Sequence, residues 1–365
     1  MSAHPVEPVM TPALSFESAL ERIAGRAQDL DREPQFPKEN FLDLAEAGVL
    51  RSAAEQSGDL IGQVALVRAV AAVDASTARI LDGHLNGLER LAHGVQWLQH
   101  ELDAIRDGRL LLGVWGADPA PGEGPPAQLM RDGDQLRLRG VKTFCSGAGG
   151  VQRALVVAAD EHGRRRLAYL DTTEAIVIDR DWYRASGLRS SESHRVEFHD
   201  TPVITLVGDV GELSREPWLS RDAIRTTATW VGLADCILSA TLQATDPARA
   251  SEVQVHGIGR MLVAQATIER WLAHAVSRLS EHARPAGATE DGEDPAKLAA
   301  LCRVAIADAC REIAALAATI CGSRALAGGG ALERARRDLD LFLLQHRLDP
   351  KVVAIGASAL EGHAQ

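Results

Sequence analysis

A histidine closes an apolar helix face near the end of the chain. Leu339, Phe342, Leu343 and His346 follow one another at the i, i+3, i+4 and i+7 spacing that places side chains on one face of an α-helix. An imidazole in this position is either a core residue with one hydrogen-bond partner or a titratable group directed into a pocket. Because a group that titrates near neutral pH can transfer protons, His346 is the first catalytic candidate.

A polar stripe on another predicted helix, residues 220–244, gives the second candidate. Asp222, Arg225, Thr226 and Thr229 lie at i, i+3, i+4 and i+7. Asp222 could act as a carboxylate base. The alternative is a solvated face with an Asp222–Arg225 ion pair, worth only tenths of a kcal/mol. The spacing alone favours the ion pair by a small margin.

The elements that would position these residues fall into three segments, which predict an α+β protein. Residues 1–110 show helical periodicity, with Gly83 and Gly94 between helices, and predict an N-terminal α-helical domain. Residues 111–207 predict a middle domain, an antiparallel β-barrel or sandwich. Its expected strands are 110–116, 135–139, 153–159, 166–171 and 195–199. Residues 208–365 predict a C-terminal four-helix-bundle domain. Its expected helices are 220–244, 250–284, 296–325, 334–346 and 352–360.

The composition excludes several classes of protein. A formal net charge of −11 leaves no basic excess for binding nucleic acid. No apolar run reaches the roughly 18 residues that span a membrane. The N-terminus lacks the features of a signal peptide, and the five cysteines show no CxxC spacing, so we expect a cytoplasmic protein with no metal site. His84, His93 and His100 are not spaced for one metal and are expected at the surface or at helix ends.

Five stretches, in the same order along the chain, resemble the acyl-CoA dehydrogenase superfamily of flavoproteins. The most similar stretch is 131–147, in which Gly-Asp, a strand, Gly-x-Lys and an aromatic residue are followed by a Ser. The others are the entry helix 36–50, the strand 111–119, the segment 187–203 and the glycine turn with its Arg-Asp pair at 327–338. The resemblance covers some 300 residues and implies the same three-part fold.

The resemblance implies an FAD cofactor and a set of residues that contact it. Phe144 would stack on or beside the flavin ring, and Ser146 would hydrogen-bond near its reactive nitrogen. The remaining positions are backbone groups of Val114, Gly116 and Ala117 at the pyrimidine end, Gly122 at the pyrophosphate, and Gly328 and Gly329 at the nucleotide of a neighbouring subunit. The residues alone leave alternatives open: Phe144 as a core residue of the sheet and Ser146 as a turn hydroxyl.

The implied reaction is oxidation of an acyl-CoA or related thioester at its α and β carbons. Family dehydrogenases carry the base as a Glu nine residues after the Arg of the Arg-Asp pair, and the count from Arg337 reaches His346. Other members place a Glu early in the first bundle helix, where this chain has Asp222. The resemblance also implies a homodimer or homotetramer, with an electron-transfer flavoprotein as a possible partner.

Flavin-dependent monooxygenases of the same fold are the alternative. They resemble this chain in the Phe144-Cys-Ser-Gly147 segment and in a histidine near the tail position, and they take reduced flavin from a partner reductase. His346 would then handle protons. A third possibility is a degenerate paralogue that binds a ligand without turnover. The chain also departs from the family, because Glu123 replaces the Ser that follows the pyrophosphate glycine, and 246–254 lacks the Phe-Gly of the dehydrogenases.

Overall fold

Six helices form the N-terminal part of the computed structural model, which describes residues 14–94, 99–282, 294–345 and 347–363. They are α1 Phe16–Arg32, α2 Lys38–Glu46, α3 Val49–Glu55, α4 Leu60–Val73, α5 Ala75–Gly94 and α6 Gln99–Arg106. Local chemistry sets their ends. The Ser15 hydroxyl accepts the Ser18 N–H at 3.1 Å to cap α1, and Gly48, in the left-handed region at φ 72°, separates α2 from α3.

Seven strands form one mixed sheet. They are β1 Leu112–Trp115, β2 Gln128–Asp132, β3 Gln135–Cys145, β4 Arg153–Ala159, β5 Arg165–Asp171, β6 Ile176–Asp179 and β7 His194–Val207. The pairings run from β4 through β2, β3, β7 and β5 back to β4, with β1 and β6 attached outside this circuit. Most pairs are antiparallel, but β1 runs parallel to β4. The prediction of an antiparallel sheet is therefore correct for most strands and wrong for β1.

Five helices complete the described chain: α7 Trp218–Ala244, α8 Glu252–His282, α9 Pro295–Ala327, α10 Ala331–Gln345 and α11 Asp349–His363. Asp294 caps α9 by accepting the Ala296 N–H at 3.0 Å, and Pro295 takes the first helical position, where a missing N–H costs nothing. Among the described residues, no helix is long and apolar enough to cross a membrane.

A large apolar core runs through all three parts of the chain, and a second, smaller cluster lies beside it among the described residues. The large core includes Leu85 of α5, Val156 of β4 and Ile237 of α7. The order of helices, sheet and helices is as predicted. Gly83, predicted between two helices, instead lies inside α5 and does not interrupt it. One glycine costs a helix only about 1 kcal/mol, and the burial of neighbouring residues offsets that cost.

Candidate functional site

The Phe144 ring lies at the end of β3 and is 44% exposed, so Phe144 is not a core residue of the sheet. Its φ of 51° is unusual for a bulky side chain and costs energy. Trp182 meets it edge to face, with ring centroids 4.9 Å apart, and Tyr183 does so at 6.5 Å. An exposed ring supported at its edges leaves a face on which a planar ligand can stack.

Ser146 heads a chain of buried hydroxyl groups. Its Oγ lies 2.9 Å from Oγ of Ser193, which lies 2.8 Å from Oγ of Ser191. The Trp115 indole N–H donates to the Ser146 carbonyl at 3.1 Å. The following Gly147 has φ 77°, and a Cβ there would lie 2.8 Å from Val151, so only glycine fits this turn. The surrounding contacts therefore fix the position of the Ser146 hydroxyl.

Val114, Gly116 and Ala117 lie beside the strand that carries Phe144. Val114 is part of β1, the Gly116 carbonyl accepts from Nζ of Lys142 at 3.3 Å, and the Ala117 carbonyl accepts the Thr143 N–H at 3.2 Å. These bonds place the predicted pyrimidine-end residues next to the predicted stacking residue.

The loop predicted to hold a pyrophosphate is occupied by a carboxylate of the protein itself. Glu123 accepts the Ala120 N–H at 2.8 Å and the Trp182 indole N–H at 2.9 Å, and these bonds lower the pKa of its carboxyl group. Gly122 has φ 95°, with open space where a side chain would begin. A carboxylate that uses a loop N–H and adds negative charge fits poorly with a pyrophosphate.

A cavity of about 560 Å³ opens next to Tyr183. Four arginines line it: Arg180, Arg184, Arg189 and Arg337. Carboxylates pair with three of them, as Glu192 does with Arg180 at 2.7 Å and Asp31 with Arg337 at 2.7 Å. Guanidinium groups that line a cavity suit a phosphate ester, because they bind its oxygens through charge-assisted hydrogen bonds.

Asp222 is held by two guanidinium groups. Its Oδ2 lies 2.6 Å from Arg90 and its Oδ1 lies 2.9 Å from Arg225. Burial raises the pKa of Asp222, and the two arginines oppose that rise. The predicted Asp222–Arg225 ion pair is present, but it is buried, so the expected solvated face is wrong. Each of the two carboxylate oxygens is therefore paired with a guanidinium group of the protein itself.

The ion pair belongs to a larger buried network between α5 and α7. Glu89 is fully buried and accepts two hydrogen bonds from Arg221, at 2.8 and 2.6 Å, and one from Arg225. Arg225 also donates to Gln63 at 2.6 Å. Each guanidinium group has partners that offset the cost of its burial.

Solved structures share this architecture over nearly the whole chain, although neither a protein-family profile nor a curated protein matches the sequence. Methanesulfinate monooxygenase MsuC from Pseudomonas fluorescens has 21% identity and a TM-score of 0.82, with 98% of each chain covered. FMN-bound TdsC from Paenibacillus sp. A11-2 has 17% identity and a TM-score of 0.80, with 94% of this chain and 96% of that chain covered. KijD3, solved with FMN and dTDP-3-amino-2,3,6-trideoxy-4-keto-3-methyl-D-glucose, has 18% identity and a TM-score of 0.83, with 95% of this chain and 92% of that chain covered.

The protein has the acyl-CoA dehydrogenase fold. TM-scores of 0.80–0.83 establish the fold, whereas identities of 17–21% do not show the reaction.

His346, the first catalytic candidate, lies outside the residues that the structure describes. The helix before it, α10, ends at Gln345. One turn earlier, the Phe342 ring packs perpendicular to Trp230 at 6.3 Å, and the Arg79 guanidinium lies 5.6 Å from the centre of the Phe342 ring. The last turn of α10 therefore packs against both α7 and α5.

The glycines of the acyl-CoA dehydrogenase-like turn, Gly328 and Gly329, connect α9 to α10. Gly328 ends α9, and Gly329 has φ 65°, a conformation that favours glycine. A Cβ on Gly329 would lie 3.4 Å from the Gln28 side chain, whereas no atom comes within 4 Å of one on Gly328. The predicted contact with a neighbouring subunit's nucleotide stays a prediction.

Several site residues were missed by sequence reasoning. Trp182 and Tyr183 carry no local signal, because their contacts with Phe144 depend on the chain path between β6 and β7. His84 was expected at the surface or a helix end and is fully buried. Its Nδ1 accepts the Leu112 N–H at 3.1 Å, and burial lowers its pKa to about 4. A histidine within an amphipathic helix pattern does not reveal which face it occupies.

Proposed function

We propose that the protein is a flavin-dependent monooxygenase that uses reduced FMN supplied by a separate reductase. The observation that carries this proposal is the double ion pair of Asp222 with Arg90 and Arg225. A dehydrogenase needs a carboxylate free to remove a substrate proton. One family position for that base holds His346, and the other holds this occupied carboxylate. The structural likeness to monooxygenases supports the same choice.

The flavin would lie on Phe144, with Ser146 as a hydrogen-bond partner near the ring and Val114, Gly116 and Ala117 at its pyrimidine end. When bound, reduced flavin supplies the two electrons with which O₂ gives one oxygen atom to the substrate and one to water. The Glu123 carboxylate in the pyrophosphate loop disfavours FAD and favours FMN, which has one phosphate.

The protein's own residues would exclude water and move protons. Phe144 would cover one face of the ring, with Trp182 packed perpendicular to Phe144, and His346 would donate or accept the proton at the substrate. An imidazole suits this role because it exchanges between its neutral and its protonated form near neutral pH. In a homodimer or homotetramer, Gly328 and Gly329 would approach the flavin of the neighbouring subunit.

Flavin binding tests the site directly. Phe144→Ala should weaken the binding of reduced FMN about tenfold, because ring stacking of roughly 1–1.5 kcal/mol is lost. An anaerobic fluorescence titration measures this. Met130→Ala is the matched control, since Met130 is 42% exposed on the same sheet and should leave binding unchanged. Equal affinities in wild type and Phe144→Ala would remove Phe144 from the site.

The reaction class is tested with two electron sources. We expect the protein to change the rate of oxygen uptake by reductase-supplied reduced FMN relative to the reductase and FMN alone, and we expect no anaerobic bleaching of bound flavin by butyryl-CoA or palmitoyl-CoA. Bleaching by either thioester would overturn the monooxygenase proposal in favour of dehydrogenation. Absence of any flavin binding, even with excess FMN or FAD, would reject both reactions and favour a ligand-binding protein.

A further inference from the structure

Arg303 is a buried cation without an ion-pair partner among the described residues. It lies on α9, is 6% exposed, and its guanidinium carbon lies 4.9 Å from the centre of the Trp230 ring. Its Nε and Nη2 atoms are buried and have no hydrogen-bond partner in the described ranges. Buried charges in proteins are normally paired, because an unpaired one carries a large desolvation cost. The protein leaves this guanidinium group without a partner, and an anionic ligand could supply one.

The nearby carboxylate, Asp82, does not fill this role. It accepts hydrogen bonds from Arg79 at 2.6 Å, from Thr226 at 2.9 Å and from Asn86 at 3.2 Å. Asp82 affects Arg303 only through longer-range attraction. Burial lowers the pKa of Arg303 to about 10, so the side chain remains charged at neutral pH.

The Trp230 ring beside Arg303 packs against a second aromatic ring. Trp230 and Phe342 pack perpendicular to each other with centroids 6.3 Å apart. Phe342 lies one helical turn before His346 in the sequence. The unpartnered Arg303 guanidinium thus lies beside an aromatic pair whose second ring belongs to α10.

We propose that Arg303 binds the anionic group of the substrate, which is a small organic oxyanion such as a carboxylate or a sulfinate. This inference rests on the proposed function, because it names the substrate class of that site. The planar guanidinium fork matches the two oxygens of such a group, and Trp230 and Phe342 contact its apolar part. A neutral or cationic substrate would leave the buried charge unpaired.

Binding to the flavin-free protein tests this inference without requiring turnover. The probes are two pairs of similar shape, methanesulfinate with dimethyl sulfoxide and benzoate with benzamide, measured by calorimetry. Wild type should bind at least one anion ten times more tightly than its neutral counterpart, and Arg303→Met should lose that preference. Its melting temperature should be unchanged or higher, because an unpaired buried charge is replaced by an apolar chain of similar length.

Two controls locate the effect. Arg311→Met changes an exposed arginine on the same helix, and Arg184→Gln changes an exposed arginine of the 560 Å³ cavity. Both should keep the preference for anions. The inference would be overturned if wild type showed no preference for anions. It would also be overturned if Arg303→Met kept the preference or Arg184→Gln lost it.

Should Arg303→Met fail to fold, Arg303→Lys keeps the charge and removes the fork, so the preference should fall but persist. An unchanged preference in Arg303→Lys would count against recognition by the guanidinium. Anion binding without flavin-dependent oxygen uptake would reject the proposed function alone. Oxygen uptake without any anion preference would reject this inference alone.

Discussion

Replacing Asp338 with Asn should change how the stability of the protein depends on pH. The Asp338 carboxyl group is buried on α10 and accepts the Leu188 N–H at 2.6 Å. Burial raises its pKa to about 7, against the lowering effects of the Leu188 bond and Arg334, and the nearby carboxylates of Asp74 and Asp31 raise it further. Asn keeps an oxygen for the Leu188 N–H and cannot ionise.

The direction of this pH dependence follows from the number of protons that the folded and unfolded states bind. Between about pH 4 and pH 7 the folded protein keeps a proton on Asp338 that the unfolded chain releases, so the free energy of unfolding falls as pH rises. The difference between a carboxyl pKa of about 4 in the unfolded chain and about 7 in the folded protein corresponds to roughly 4 kcal/mol. Asp338→Asn should therefore differ little from wild type near pH 4 and become more stable by up to roughly 4 kcal/mol above pH 7.

Urea denaturation from pH 4.5 to 8.5 measures this difference. Asp340→Asn is the control, because Asp340 is exposed two residues further along the same helix. Its stability relative to wild type should stay constant over the range. Parallel curves for wild type and Asp338→Asn, or a variant that loses stability as pH rises above 7, would refute the reasoning.

Three further predictions concern other charged groups. Glu89→Gln leaves the buried Arg221 without its carboxylate and removes one of the two carboxylates from Arg225, so it should lower the free energy of unfolding by roughly 3–5 kcal/mol in urea; an unchanged midpoint would contradict the network. Glu123→Ser frees a loop N–H and removes a negative charge, so the affinity for FAD relative to that for FMN should rise several-fold in a fluorescence titration. His346→Ala should lower substrate-coupled oxygen uptake without lowering the melting temperature, and full activity in that variant would exclude His346 from the mechanism.

Regular periodicity predicted most of the fold, since helix and strand patterns depend on neighbours in sequence. The long helices α7 to α10 were expected within a few residues. The sequence pattern does not predict β2, which is largely exposed, or β6, which has only four residues, because neither shows a clear apolar alternation over enough positions.

The candidate site was less predictable. Phe144 and Ser146 could be named from a motif that resembles a known family. Arg225 was assigned to a solvated stripe, because periodicity shows which residues share a face and cannot show that the face meets a second polar surface on α5. The contact of Glu123 with Trp182 joins residues far apart in sequence, so only the folded chain reveals it.

The large apolar core that joins helices, sheet and helices limits how this chain can be divided. Leu85, Val156 and Ile237 belong to one continuous set of contacts, so a cut between the segments would expose apolar surface on both pieces. We expect fragments that end near residue 110 or 207 to aggregate when expressed alone. Chimaeras with related enzymes should therefore exchange surface loops and leave the boundaries between segments intact.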